Sequence, residues 1–109
     1  MMFDIFRPAK KRSIDEFSKN LANEFVQQYP MKLHKSSSNT KTDRRLESTM
    51  DSICAKARSF HQQHGLDLYG KARFNNTLMW ELRETGYDAE FVDALTKKII
   101  IALSARSGG

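Results

Sequence analysis

Apolar residues recur along most of this chain at intervals of three and four, the period that gathers side chains on one face of an α-helix. Ile14, Phe17, Leu21, Ala22, Phe25, Val26 and Tyr29 form the first stripe. Ser13 and Glu16 precede it at capping-box spacing, and Pro30 stops it by driving the residue before it away from helical angles. The spacing predicts a first helix over 14–29. Leu46, Met50, Ile53, Cys54, Ala57 and Phe60 predict a second over 43–64, closed by Gly65. Phe74, Leu78 and Leu82 predict a third over 68–85, with Asp67 as its amino-terminal cap and Gly86 as its stop. Phe91, Val92, Leu95, Ile99, Ala102 and Leu103 predict a fourth over 89–105, beginning after Asp88.

No segment alternates with the period of a strand, and the triplet Ile99-Ile100-Ile101 lies inside a longer helical pattern. The expected fold is therefore all-α: a compact four-helix domain over 13–109, with a basic amphipathic arm over 1–12 and a mobile linker over 30–42. The linker Pro-Met-Lys-Leu-His-Lys-Ser-Ser-Ser-Asn-Thr-Lys-Thr is polar and long for a connection. The remaining two connections are short, which favours antiparallel or angled neighbours.

A chain of 109 residues is large enough to enclose one core without staples. Its one cysteine, Cys54, allows no internal disulfide. The first residues place Phe3, Ile5 and Phe6 ahead of the basic cluster, the reverse of a secretory signal. No run approaches the roughly 18–20 apolar residues of a membrane span. These features predict a soluble, cytoplasmic protein.

Charge divides the chain more sharply. Residues 1–12 hold four basic side chains and one acid, and residues 30–45 hold five and one. Residues 13–29 hold one base and three acids, whereas residues 46–109 hold eight of each. The excess of +5 thus belongs to the arm and the linker with its junction, and the folded body is expected to be near neutral. Lys10, Lys11, Arg12, Lys32, Lys35, Lys41, Arg44 and Arg45 are the candidate anion-binding residues. With Phe3, Ile5 and Phe6 as the apolar element, the same charges suit loose contact with an anionic membrane surface. Solubilising charge on mobile segments accounts for them equally well.

Tyr69, Arg73, Asn76 and Trp80 recur at intervals of four, three and four, so they share a helix face away from the Phe74–Leu78–Leu82 line. An aromatic and cationic face of this kind grips a protein partner or stacks on bases. The simpler expectation is that the third helix packs on two sides, with Arg73 snorkelling past a shielded Trp80. Ile100 and Ile101 fall outside the core arc of the fourth helix, and predict contact with the apolar arm or with a second copy of the chain.

The chemical alternatives are thinner. Cys54, beside Met50, Ile53 and Ala57, reads as a small core residue rather than a nucleophile. His61, His64 and Asp67 lack the convergent third and fourth ligands of a metal centre; the helix end favours the histidines without a metal, and His64 aligns with the core edge. A helix-turn-helix through Leu82, Gly86 and Val92 would aim Asp88, Glu90 and Asp93 at phosphates, with Lys97 and Lys98 too far along to compensate. No catalytic constellation, cofactor site or metal site is expected. The residues favour a non-enzymatic protein-interaction or regulatory module, with candidate partner surface Tyr69, Arg73, Asn76, Trp80, Ile100 and Ile101. The alternative is electrostatic binding of nucleic acid or an anionic surface.

Overall fold

A computed structural model describes residues 8–35 and 40–104, with the backbone alone at 8–10 and 35. The described residues are helical almost throughout and contain no strand. Five helices follow one another: α1 (Pro8–Gln28), α2 (Met31–Lys35), α3 (Thr40–His64), α4 (Leu68–Thr85) and α5 (Ala89–Ser104). The four long helices correspond to the four apolar stripes.

Three boundaries differ from expectation. Helix α1 begins at Pro8 rather than after Ser13, so Lys11 and Arg12 belong to the helix and not to an arm. Proline suits a first helical turn, where its missing N–H has no partner to lose, and Lys and Arg are good helix formers. Ser13 consequently lies exposed within the helix, not at its cap. The stretch read as a linker contains α2, and α3 starts three residues earlier than the expected 43, with Asp43 in its first turn. Residues 1–7, including Phe3, Ile5 and Phe6, lie outside the described residues, as do 36–39 and 105–109.

Helices α1 and α4 run parallel in the closest packing of the molecule: Ile14 approaches Gly70, Asp15 meets Arg73, and Tyr29 meets Tyr87. Helix α3 runs antiparallel to α1, linking Gln28 to Arg45 at one end and Phe17 to Phe60 at the other. Helix α5 packs between α3 and α4. Despite their short connection, α3 and α4 are diagonal across the bundle and not face-to-face neighbours. Phe17 fills the space where their ends converge, stacking on Phe60 with centroids 4.0 Å apart and tilting against Phe74 at 5.9 Å.

The centre is closed by Leu21, Phe25, Ile53, Phe74, Leu78, Leu82, Val92 and Ile99, all nearly inaccessible. Ser18, Thr49 and Thr96 are buried with them, each hydroxyl donating to a carbonyl one turn back: Ile14 at 2.7 Å, Arg45 at 2.7 Å and Val92 at 2.9 Å. This self-satisfaction lets a hydroxyl residue occupy a core position. The buried face of α3 runs through Thr42, Thr49, Ile53, Ala57 and Phe60, and Leu46, Met50 and Cys54 lie half-buried at its margin.

Both interhelical connections turn an apolar residue inward. After α4, Gly86 adopts φ 120° and its N–H donates to the Arg83 carbonyl, while the Tyr87 N–H reaches the Leu82 carbonyl. This pairing is a Schellman motif, and Tyr87 and Leu82 are both buried as its apolar contact. After α3, the Leu66 N–H donates to Nδ1 of His61 at 3.2 Å and the Leu66 side chain is buried. Asp67 then caps α4 by accepting from the Gly70 N–H at 2.7 Å.

Candidate interaction surface

The face of α4 predicted from spacing is exposed, which corrects the expectation of a shielded Trp80. Trp80 exposes 59% of its surface and Tyr69 48%. Helix α4 does have two principal neighbours, but α1 and α5 together cover only the arc through Gly70, Phe74, Leu78 and Leu82. Asn76 is exposed as well, and Arg73 is half-buried because it leans onto α1.

That lean organises the surface. Arg73 donates from Nε to Oδ1 of Asp15 at 2.9 Å and from Nη2 to Oδ2 at 2.8 Å, a two-pronged ion pair. Its Nη1 donates to the Tyr69 hydroxyl at 3.2 Å, and Thr77 Oγ1 donates to Asp15 Oδ1 at 3.4 Å. The guanidinium beside Asp15 holds that carboxyl below its ordinary value, and Arg73 is held more firmly protonated in return. Arg73 and Thr77 are thereby tied to α1, with Tyr69 bonded to Arg73, while the Trp80 ring remains open to solvent.

Two depressions flank this pair. One is lined by Lys11, Arg12, Asp15, Glu16, Lys19 and Arg73, the other by Asp15, Lys19, Asn76, Thr77, Trp80 and Glu81. They share Asp15 and Lys19 and adjoin along the α1–α4 seam, and together they make up the α1–α4 groove. The basic residues Lys11 and Arg12 and the Trp80 face, separate in sequence, thus belong to one surface. Lys11, Asp15 and Lys19 were legible as one helix face; their place opposite α4 was not, because it depends on which helices are neighbours.

The other candidates scatter. Lys32, Lys41 and Arg44 are exposed near the far end of α1. Arg45 is already engaged, its Nε donating at 2.6 Å to the Gln28 carbonyl left open at the end of α1. The side chains of Lys10 and Lys35 lie outside the described residues. Ile100 is half-buried against the core, whereas Ile101 is 66% exposed. The two isoleucines therefore do not form one surface, and the arm residues expected to cover them lie outside the described residues.

His61 directs Nδ1 to a backbone N–H, and His64 is exposed with its ring 4.3 Å from that of Phe60, so neither closes the core edge. Among the described residues no cluster of three metal-binding side chains occurs. Cys54 is half-buried, and desolvation pushes its thiol up from the ordinary value, which lowers the thiolate fraction. Asp93 at the start of α5 pairs with Lys97 at 3.3 Å.

Sequence reasoning missed one cluster altogether. His34 of α2 lies with its ring 4.3 Å from Phe91 and 5.5 Å from Tyr87, and its Nε2 is 3.5 Å from Asp88. Asp88, expected only as a cap for α5, thus tethers α2. Beside Phe91, the seam between α3 and α5 opens into an apolar groove of about 220 Å³ lined by Leu46, Met50, Phe91, Ala94, Leu95 and Lys98.

The described residues define a small all-α domain with a mixed polar and aromatic groove between α1 and α4 and an apolar one between α3 and α5. Comparison with protein-family models, curated proteins and solved structures finds no match to this chain. Among the described residues, no helix is long and apolar enough to cross a membrane.

Proposed function

We propose that this chain is a non-enzymatic interaction or regulatory module that engages a protein partner through the α1–α4 groove, with Trp80 as the anchor. The observation that carries this reading is the exposure of Trp80 beside side chains that are already fixed. Tryptophan is the residue most often found at the energetic centre of protein interfaces, since it brings a large apolar surface and a polar N–H. Here Arg73 and Thr77 are held by Asp15, and Tyr69 by Arg73, so a partner meets an ordered rim and less side-chain entropy remains to be lost. A cytoplasmic setting belongs to this reading, because a lone half-buried thiol is best preserved where thiols stay reduced.

The test is site-specific photo-crosslinking in cells that express the chain. A photoreactive residue at Asn76, beside Trp80, is expected to capture a discrete protein. The same residue at exposed Glu47 on α3 is expected to capture none, and Trp80→Ala is expected to abolish the Asn76 product. Equal capture from both positions, or capture that ignores Trp80→Ala, refutes the reading.

Electrostatic binding of nucleic acid or an anionic membrane is the second reading, supported by exposed Lys32, Lys41 and Arg44. It is weakened by geometry: these charges lie near the carboxyl-terminal end of α1, which stands about 25 Å along the helix from Lys11 and Arg12. Salt-dependent binding to a generic duplex that vanishes in Lys41→Glu with Arg44→Glu would establish it.

A further inference from the structure

We infer that the occupant of the α1–α4 groove is a short acidic segment of another protein, with carboxylates against Lys11, Arg12 and Lys19 and an apolar side chain on Trp80. This deepens the reading above and depends on it.

The charge of the groove is the first ground. Arg73 and Asp15 neutralise each other, so neither is available to an incoming group without breaking a two-pronged pair. Of the remaining lining residues, Lys11, Arg12 and Lys19 make no contact ion pair among the described residues, although Lys19 also acts on Asp15, and the acids that oppose them are Glu16 and Glu81. The excess cation lies toward the start of α1. Helix α1 directs an amino-terminal end without an acid in its first turn toward this cluster, whereas the same end of α4 is already capped by the Asp67 carboxylate.

The distribution of polarity is the second ground. Trp80 sits at the other end, beside Asn76 and Thr77, where Lys19 and Glu81 offset each other and Arg73 neutralises Asp15. Eight residues separate Lys11 from Lys19, a rise of about 12 Å, which an extended peptide spans in about four residues. The recognised pattern is an apolar anchor with acidic side chains within about four positions on one side.

A nucleic-acid strand fits this groove less well. Its evenly spaced phosphates would run past Asp15, Glu16 and Glu81, whereas a peptide places carboxylates only where cations receive them. A second copy meeting this surface through the same face would set Lys11, Arg12 and Lys19 against their own equivalents.

The experiment uses the whole chain and three labelled synthetic peptides sharing one leucine anchor, flanked by Asp/Glu, by Lys, or by Ser/Gly, with an oligothymidine strand as a fourth probe. Binding is read by anisotropy and by Trp80 emission. The acidic peptide is expected to bind at least about tenfold more tightly than the neutral one, with affinity falling as salt rises. Arg12→Glu with Lys19→Glu is expected to weaken the acidic peptide about tenfold and strengthen the lysine peptide. Trp80→Ala is expected to abolish both. Should the double variant lose helicity, Lys19→Gln alone and the salt series on the unaltered chain carry the same test.

Equal affinity for neutral and acidic peptides overturns the acidic partner and leaves the interaction module standing. Oligothymidine binding at Trp80 without peptide binding overturns both. Dimers in sedimentation that disappear in Trp80→Ala, or no peptide bound at all, overturn the acidic partner.

Discussion

Arg73 of α4 holds both carboxylate oxygens of Asp15 of α1, across 58 residues of sequence, at 2.8 and 2.9 Å. The pair joins the two most closely packed helices at the rim and positions Tyr69 and Thr77 beside it. Both side chains retain about a third of their exposure, so solvent screens the attraction. A double-mutant cycle of Asp15→Asn and Arg73→Lys, followed by urea unfolding, is expected to give a coupling of about 1 kcal/mol or less. The same carboxyl makes stability fall in acid. Its folded value lies below the ordinary 3.8, so its contribution is complete above 3.8 and disappears as pH falls through the lower value. Asp15→Asn should flatten that part of the acid limb.

Tyr87 donates its hydroxyl hydrogen to the Tyr29 carbonyl at 2.5 Å inside the core. Tyr87→Phe leaves that carbonyl buried without its donor and should cost about 1–3 kcal/mol in chemical denaturation. Burial pushes the Tyr87 phenol from 10.0 up to about 12. The folded state thus keeps its proton longer than the unfolded state. This contribution is complete below pH 10.0 and is lost as pH rises toward about 12. Ultraviolet titration should show a late phenol that ionises as the far-ultraviolet signal collapses.

Leu82 is wholly inaccessible, while Leu68 exposes 86% of its surface. Leu82→Ala should cost about 2–5 kcal/mol through lost burial and a residual cavity. Leu68→Ser should stay within about 0.5 kcal/mol of the parent. A similar loss at both positions in thermal or urea unfolding would contradict the placement of α4.

Gly86 holds φ 120° in the Schellman turn, a conformation that L side chains rarely adopt. A Cβ there would lie 3.7 Å from Met31 Cε, so space is sufficient and the backbone decides. Gly86→Ala should destabilise by about 1–3 kcal/mol, measured by urea unfolding.

The chain has one tryptophan, so its fluorescence reports the groove directly. Trp80 should emit as a solvated indole and be readily quenched by acrylamide. Trp80→Ala should leave stability within about 0.5 kcal/mol, because the ring encloses little of the core. A blue-shifted, protected emission at low concentration would show that something already covers this face.

The apolar period was enough to identify the four long helices and the all-α class, because helix geometry converts local spacing into a face. Asp67 and Gly86 carried out the terminal roles their chemistry suggests. The Ser13–Glu16 pair did not, since Pro8 opened the helix earlier and left no terminus there to cap. Ser18, Thr49 and Thr96 stand outside the apolar stripes, yet they are buried. Their hydroxyls are satisfied within their own helices, so burial leaves no polar group unpaired.

The alignment of Tyr69, Arg73, Asn76 and Trp80 was determined by sequence alone, because residues on one helix keep their angular relation whatever surrounds them. Tertiary structure decided that this face stays open, that Lys11 and Lys19 border it, and that Asp15 immobilises Arg73. Those outcomes depend on α4 lying parallel to α1 and diagonal to α3. Helix adjacency follows from how whole surfaces pack, which no local spacing encodes.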